Sequence, residues 1–287
     1  MLAPSAIVDA HHHLWRYRPG FKPWLDARDQ LASLRRDFLG DELGELLRAN
    51  GVDRSVIIQA ADSVEDTANM IEAARTHPFI AGIVAWAPLD DPRAAEKQLD
   101  EYAKEPKIKG FRHLIIFDPD PDWNIRPKVL ESLRLVADRG YTWDSTATIP
   151  RHLEHVSAVA ERIPHLKQVI DHLGKPAATE AVWEPWASLM ARAAAYPNVH
   201  VKLSGLSNVA TLANATTEQF QPYVDHVLTN FGSQRVMMAS NWPVSNLGAD
   251  YAATWKQTLE LIAHLDPAER LAVMGETATR FYRLLPA

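Results

Sequence analysis

The feature that most constrains this chain is an alternation of helical and strand patterns that repeats from residue 40 almost to the end. Leu43, Leu46 and Leu47 have helical spacing before Gly51, a residue typical of helix C-caps, and a strand at 55–59 follows. The same step recurs, with further helices predicted at 63–77, 92–104, 127–139, 150–163, 181–195, 251–264 and 267–283. The stretch from Trp15 to about Asp37 precedes this pattern and is predicted to be a long loop on the active side.

Eight strands are predicted. The apolar run 7–10 begins the first, and the others are predicted at 55–59, 83–86, 108–112, 141–143, 168–171, 199–203 and 236–239. Strands that alternate with helices favour a parallel sheet, and eight such units in 287 residues favour closure into a (β/α)8 TIM barrel. No Gly-rich dinucleotide or phosphate-loop motif follows any strand, which argues against an open doubly wound sheet. The prediction is a single α/β domain, residues 1–287.

Charge and composition exclude several classes of protein. Thirty Lys and Arg against 36 Asp and Glu give a net charge of −6 without a basic tail, which argues against a nucleic-acid partner. No apolar run approaches the roughly 20 residues of a membrane span. The chain has no Cys, which rules out disulfides, thiolate nucleophiles and Cys-ligated zinc. We expect a cytoplasmic monomer or homodimer whose partner is a small molecule.

Three consecutive histidines, His11, His12 and His13, directly follow the first predicted strand. Period-two geometry places His11 and His13 on one face and turns His12 away. Two imidazoles at the C-terminal end of a strand are half of a site for Zn²⁺ or Mn²⁺. The alternatives are a polar strand end or a fragment of a purification tag, and so short a run directly after an apolar strand disfavours a tag. We therefore treat His11 and His13 as candidate metal ligands.

Two further strand ends carry polar side chains where a barrel presents residues to substrate. Arg112 ends the fourth strand, before His113, and its planar guanidinium fits a carboxylate or a polarised carbonyl oxygen, although a structural ion pair is the alternative. Asp171 and His172 end the sixth strand, and strand alternation predicts that they face opposite sides. If His172 faces the barrel axis, it joins the first-strand histidines. Asp171 then faces the helix layer or supports a ligand from behind.

Asn241 lies at the end of the eighth strand, where a general base or a further metal ligand is expected. Its amide offers a carbonyl acceptor but has no charge and cannot act as a base near neutral pH. This conflicts with a hydrolytic mechanism. Lys202 and Ser204, at the end of the seventh strand, are placed where they could reach the site, although we favour a structural role for both.

Aromatic and polar residues at other strand ends are candidates for substrate binding. Tryptophan side chains at such positions can wall a pocket. The expected substrate-binding residues are Trp15, Gln59, Trp86, Arg112, His113, Asp144 and Trp242. The histidines to which we assign no role are His152, His155, His165, His200 and His226.

Four motifs, taken together, closely resemble those of the amidohydrolase superfamily. They are DAHHHLW at 9–15, GFRH at 110–113, DHLGKP at 171–176 and SNWP at 240–243. They occur in the family order over essentially the whole chain. The best match is the branch of lactonases called amidohydrolase 2, which includes L-fuconolactonase, L-rhamnonolactonase, 2-pyrone-4,6-dicarboxylate lactonase and sulfomuconolactone hydrolase.

The resemblance implies roles for individual residues of this barrel. His11 and His13 match the metal-ligand pair of the first strand, His172 contacts metal or substrate, and Arg112 binds substrate. Asn241 stands where the family carries an Asp that accepts a proton from the attacking water and touches the ion in metal-bound members. The implied catalytic set is Asn241, His172 and Arg112, and the implied metal set is His11, His13, His172 and Asn241.

The presence of Asn at position 241 has two explanations: an engineered Asp-to-Asn exchange that traps substrate, or a natural loss of hydrolysis. Because every other motif is intact, we favour the engineered exchange, which would inactivate or weaken the enzyme.

The activity that the resemblance implies is that of a hydrolase of carbohydrate metabolism, a lactonase that opens a small sugar-acid lactone to its hydroxy acid. The alternatives are a muconolactone or pyrone-type lactone as substrate, nonoxidative decarboxylation, or silent binding of a small molecule. Members of the branch differ in whether they need a divalent ion, so Zn or Mn is an open expectation here, and no organic cofactor is expected.

Overall fold

A computed structural model describes residues 6–206 and 216–284, and the expected domain, residues 1–287, can be followed within these ranges. The strands form one parallel sheet in the order β1 to β8. They are β1 Val8–His12, β2 Arg54–Ile58, β3 Ile80–Ala85, β4 Ile108–Arg112, β5 Thr142–Ser145, β6 Gln168–Ile170, β7 Val199–Leu203 and β8 Val236–Met238. This order, with helices between the strands, confirms the predicted (β/α)8 TIM barrel.

The helices begin where the sequence supplies start signals. Asp91 caps α4 by accepting hydrogen bonds from the backbone N–H groups of Arg93 and Ala94, and Pro127 occupies the first turn of α5. The helices are α1 Pro23–Asp26, α2 Gly40–Ala49, α3 Val64–Thr76, α4 Pro92–Tyr102, α5 Pro127–Asp138, α6 Pro150–Arg162, α7 Trp186–Ala194, α8 Thr217–Phe231, α9 Tyr251–Leu261, α10 Pro267–Leu271 and α11 Thr277–Phe281.

Three segments differ from the expected pattern. The helix expected from residue 181 starts only at Trp186, because Pro185 disfavours helical backbone in the residue before it. The helix expected over 267–283 is divided by a π-helical segment, Ala272–Glu276. The expected loop 15–37 contains α1 and a 3-10 helix, Asp29–Leu34.

The barrel closes where the chain after β8 meets β1. The backbone N–H of Asn241 donates to the His11 carbonyl at 2.8 Å, and that of His13 donates to the Trp242 carbonyl at 2.7 Å. Beside this seam, the Asp9 carboxylate accepts hydrogen bonds from the Ser240 backbone and hydroxyl and from the Tyr251 hydroxyl. The seam therefore places position 241 directly beside the histidines of β1.

The C-terminal segment packs against the strands through an apolar cluster. Phe281, Tyr282 and Leu284 join strand residues in this cluster, namely Val8, Ala10, Val56, Ile58, Val84, Val169, Met237 and Ala239. The Tyr282 hydroxyl lies beyond the cluster and donates a hydrogen bond to Asp144 Oδ2 at 2.8 Å. The cluster thus ends at a polar layer, which supports the site described next.

Candidate active site

The candidate site is built from the C-terminal ends of strands, the face of a barrel that carries active-site residues. His11 belongs to β1, Arg112 is the last residue of β4, and Asp171 and His172 directly follow β6. The side chains of His11, Asp171 and His172 are buried, and each offers a ligand atom within 4.8 Å of the others. The structure therefore brings together residues that are up to 161 positions apart, from His11 to His172.

His11 and His13 face one another, while His12 points elsewhere. The Nε2 atoms of His11 and His13 are 3.2 Å apart, whereas His12 Nε2 lies 2.9 Å from the Ser55 hydroxyl. His13 Nδ1 lies 2.8 Å from the Ile58 carbonyl oxygen. Because a carbonyl only accepts hydrogen bonds, Nδ1 carries the proton and Nε2 keeps its lone pair. His13 thus presents a ligand atom toward His11.

Asp171 occupies the centre of the site. Its Oδ2 accepts from Arg112 Nη1 at 3.0 Å, and its Oδ1 lies 3.1 Å from Lys202 Nζ and 3.3 Å from His11 Nδ1. Burial opposes ionisation, but the charges of Lys202, His11 and Arg112 outweigh it and hold the pKa of Asp171 well below its usual range. Asp171 is therefore an anion that holds two cations and an imidazole in place.

The expectation that Asp171 and His172 face opposite sides is wrong. The strand ends at Ile170, so the alternation of a strand no longer applies. His172, Leu173, Gly174 and Lys175 all have left-handed backbone, with φ of 56°, 51°, 66° and 50°. Left-handed backbone costs roughly 1–2 kcal/mol for each residue other than Gly. This strained turn directs both Asp171 and His172 toward His11, and His172 Nδ1 lies 2.8 Å from the Ser204 hydroxyl.

Asp144, expected to bind substrate, instead belongs to a polar layer within the barrel. Its side chain is fully buried, pairs with Lys202 and accepts from Tyr282. Burial raises its pKa to about 6 even though Lys202 opposes the shift. Strand spacing predicts the direction of a β5 side chain but not how deep in the barrel it lies. The sequence therefore did not indicate that Asp144 would pair with Lys202. We therefore leave Asp144 out of the proposed substrate contacts.

The remaining expected substrate-binding residues lie at different depths. Gln59 is buried, and its Nε2 donates to Asp62 and to the Arg112 carbonyl. His113 stacks on Trp123 at 3.8 Å, with its ring nitrogens toward Asp62 and Asp118.

The three expected tryptophans differ in exposure. Trp15 and Trp242 are buried and pack edge-on against Phe38 at 5.4 and 5.3 Å. They form the layer behind the histidines. Trp86 is half-buried, and its indole N–H has no hydrogen-bond partner within the described part of the chain.

The site contains two residues to which the sequence gave no firm role. Lys202 is fully buried and lies 3.1 Å from His11 Nδ1, and Ser204 contacts His172. Both occupy the end of β7 with period-two spacing, which was the signal that placed them near the site. Lys175 was missed entirely; its ammonium is affected by the charges of Asp171 and Arg112, while burial lowers its pKa.

The donor set fits a divalent cation. Burial lowers the pKa of His11 and His13 well below the usual range and that of His172 to about 3, so the imidazoles are in the neutral form that binds metal. When His11 carries its proton on Nδ1, beside Asp171, its Nε2 lone pair lies 3.2 Å from His13 Nε2 and 3.3 Å from Arg112 Nη1. Two zinc–nitrogen bonds of about 2.0–2.1 Å at a tetrahedral angle span about 3.3 Å, close to the separation of the two Nε2 atoms. Asp171 then has the place of a carboxylate that orients a metal-bound histidine.

The chain thus forms a parallel eight-stranded barrel with His11 and His13 at the end of β1 and His172 just after β6. The amidohydrolase family model matches residues 8–284, and the chain belongs to this family. Within the ranges 6–206 and 216–284, every helix is too short or too polar to cross a lipid bilayer.

Two curated relatives and one solved structure resemble the chain over nearly their full lengths. L-Fucono-1,5-lactonase of Burkholderia ambifaria is 34% identical over 96% of this chain and 95% of the relative. The enzyme of that name from Burkholderia multivorans is 32% identical, covering 96% of each. A crystal structure of a Burkholderia multivorans amidohydrolase with bound zinc is 31% identical, with a TM-score of 0.89 over 98% of this chain and all of that one.

Proposed function

We propose that this protein hydrolyses a small lactone, specifically a sugar-acid lactone, to its hydroxy acid. The observation that carries the proposal is the convergence of His11, Arg112, Asp171 and His172 at the strand ends of an amidohydrolase barrel. The similarity to enzymes named L-fucono-1,5-lactonase supports a lactone as substrate.

In the proposed reaction, water adds to the ring carbonyl carbon, the ring C–O bond breaks, and the proton of the water passes to the leaving ring oxygen. Without a bound ion, Arg112 and His172 would stabilise the negative charge on the carbonyl oxygen; with an ion held by His11 and His13, this role would pass to the ion. Asp171 keeps Arg112 oriented through the Nη1–Oδ2 contact of 3.0 Å. The Asn241 amide can orient the water by a hydrogen bond, but it cannot take the proton.

We also propose that His11, His13 and His172, together with position 241, hold a divalent ion such as Zn²⁺ or Mn²⁺. A bound ion of this kind polarises a carbonyl and lowers the pKa of water. Asp171 and Ser204 support the ligands by contacting His11 and His172 from behind.

Replacing Asn241 by Asp tests the reaction. A carboxylate at 241 supplies the general base that the amide lacks, and such a base contributes roughly 10²–10⁴ in rate. We expect Asn241→Asp to raise turnover of sugar-acid lactones by a factor in this range in a pH-indicator assay. Asn69→Asp, on the exposed face of α3, adds the same charge away from the site and should leave turnover unchanged. Equal, negligible turnover in both variants over sugar-acid, muconate-type and pyrone lactones would refute the mechanism.

Metal content tests the proposed ligands. We expect one Zn or Mn per chain by elemental analysis after reconstitution, because His11 has ligand atoms close to those of both His13 and His172. His11→Ala and His13→Ala should lower this occupancy strongly, whereas His165→Ala, at an exposed site, should not. Equal metal content in all three variants would place the ion elsewhere.

Asn241 itself favours a second candidate, a binder without catalysis. This candidate predicts tight binding of a metabolite and no turnover even in Asn241→Asp. Carbon dioxide release in the same assays would instead identify a decarboxylase.

A further inference from the structure

A cavity of about 610 Å³ lies at the C-terminal ends of β2 and β4. Its size is within the roughly 300–1,000 Å³ of small-molecule sites. Its lining includes Trp24, Arg28, Asp62, Leu114 and Phe117. Trp24 is held in place because its indole N–H donates to the carbonyl of Ala60, just after β2, at 2.8 Å, and its ring stacks on Phe117 at 6.4 Å. The cavity thus has an ordered aromatic wall.

The buried Gln59 side chain connects the wall of the cavity to the candidate active site by hydrogen bonds. The Gln59 amide donates to Asp62 Oδ1 at 3.1 Å and to the Arg112 carbonyl at 3.2 Å. Arg112 in turn contacts Asp171 and lies 3.3 Å from His11 Nε2. Asp62, on the cavity wall, and Arg112, in the candidate site, are therefore separated by a single hydrogen-bonded side chain.

Asp62 is the carboxylate that this cavity presents among its described lining residues. The Leu114 N–H and the Gln59 amide donate to it, His113 Nδ1 lies 3.3 Å from its Oδ2, and its side chain is 27% exposed. An ionised carboxylate has about four acceptor positions, so some remain for a ligand. Arg28, which also lines the cavity, has no carboxylate within 4 Å in the part of the chain that the structure describes.

The combined chemistry of these groups selects one type of ligand. Asp62 accepts hydrogen bonds, Arg28 donates them, and Trp24 with Phe117 offers apolar ring surface. Hydroxyl groups both donate and accept, and the C–H face of a saturated ring packs on aromatic rings. A second carboxylate on the ligand could only accept, and Asp62 would repel it.

We propose that this cavity is the subsite for the hydroxylated part of the lactone, and that Asp62 accepts hydrogen bonds from the hydroxyl groups of the ligand. The proposal rests on the proposed function, since it takes the lactone carbonyl to lie at Arg112. Within the sugar-acid lactones already proposed, it predicts selection of those whose hydroxyl groups reach Asp62 and exclusion of lactones that carry a second carboxylate.

Calorimetric binding to the protein with Asn241 in place tests the subsite without requiring turnover. The probes are L-galactono-1,4-lactone, unsubstituted γ-butyrolactone, and a γ-lactone with a pendant carboxylate. Loss of a hydrogen bond to a charged group should weaken binding of the galactonolactone to Asp62→Asn by roughly tenfold to a hundredfold. Binding of γ-butyrolactone should not change, and the carboxylated lactone should bind Asp62→Asn better than the native chain.

Glu72→Gln is the matched control, because Glu72 lines another cavity, of about 590 Å³, formed with residues of α2 and α3. It should bind galactonolactone as the native chain does. Arg28→Met, a change at an exposed side chain, should also weaken galactonolactone binding and serves as an independent test if Asp62→Asn does not fold. Equal affinity of native and Asp62→Asn or Arg28→Met proteins, or absence of galactonolactone binding to the native chain, would overturn the subsite.

The outcomes separate this inference from the proposed function. Asp62-dependent binding without any turnover in Asn241→Asp would leave the subsite standing and refute hydrolysis. Turnover in Asn241→Asp with a KM that is unchanged by adding Asp62→Asn would support hydrolysis and refute the subsite.

Discussion

At the scale of single residues, the ammonium group of Lys202 shows how much a buried position depends on its partners. It is fully buried and contacts two carboxylates, Asp144 and Asp171, as well as His11. The positive charge of Lys202 offsets the free-energy cost of burying these two carboxylates as anions. Lys202 thus holds the polar layer beneath the candidate site together.

Removing this ammonium should destabilise the protein. We expect Lys202→Met to lower the free energy of unfolding by about 3–5 kcal/mol, because breaking a buried pair leaves uncompensated charge. Urea denaturation measures the change. Lys256→Met, which removes an exposed helix pair with Glu260, should have little effect.

A second variant checks the reason for this loss. Lys202→Met combined with Asp144→Asn should recover part of the stability, because one buried anion is then absent. If Lys202→Met were as stable as the Lys256 control, charge compensation by Lys202 would be excluded.

At the scale of elements, β7 packs on α11 through a half-buried histidine. The His200 ring lies 4.6 Å from that of Phe281. Burial, aided by the charges of Arg235 and Lys167, lowers the pKa of His200 to about 4. The folded state therefore binds fewer protons than the unfolded state between about pH 4 and 6.5, and stability must fall as the pH drops through this window.

This contact predicts a pH dependence of stability. Between pH 7 and 5, His200 should account for a loss of about 1–2 kcal/mol in the free energy of unfolding, allowing for its partial exposure. We expect the loss measured by urea denaturation to be smaller in His200→Gln. His264→Gln, at a side chain that is about half exposed, should retain the native pH dependence. Identical pH profiles for native and His200→Gln proteins would contradict the assignment.

At the scale of the whole molecule, closure of the barrel depends on the contacts of Asp9 at the seam. Its carboxylate accepts from the His11 N–H, from the Ser240 N–H and hydroxyl, and from the Tyr251 hydroxyl. These donors come from β1, from the chain after β8 and from α9. A single buried side chain therefore joins the two ends of the barrel.

Asp9→Ala should open this seam. We expect a loss of about 2–4 kcal/mol in the free energy of unfolding, because several buried donors lose their acceptor. Hydrogen exchange should accelerate first in β1 and at 239–242. Asp53→Ala, which removes an exposed carboxylate bound to the Ile7 N–H, should cost less than about 1 kcal/mol. Equal losses in the two variants would show that the seam does not depend on Asp9.

Much of the fold could be predicted because its signals are local. The spacing of Leu43 and Leu47 and the position of Pro127 depend on neighbours a few residues away, and α2 and α5 start at the predicted residues. His11 and His13 face each other for the same reason, because the extended alternation of β1 continues one residue beyond its end at His12. The start of α7 at Trp186 differs from the expected residue 181, because Pro185 disfavours helical backbone in the residue before it.

The sequence by itself determined the barrel, its family, and the strand ends on which Arg112, His172 and Asn241 lie. Only the tertiary structure decided that Asp171 turns inward, that Lys202 joins it to Asp144, and that Asp62 borders a cavity. The physical reason is the distance along the chain over which each interaction acts. Periodicity fixes the direction of a side chain relative to its own backbone, whereas these contacts depend on barrel closure and on a left-handed turn after β6, which join residues far apart in the chain.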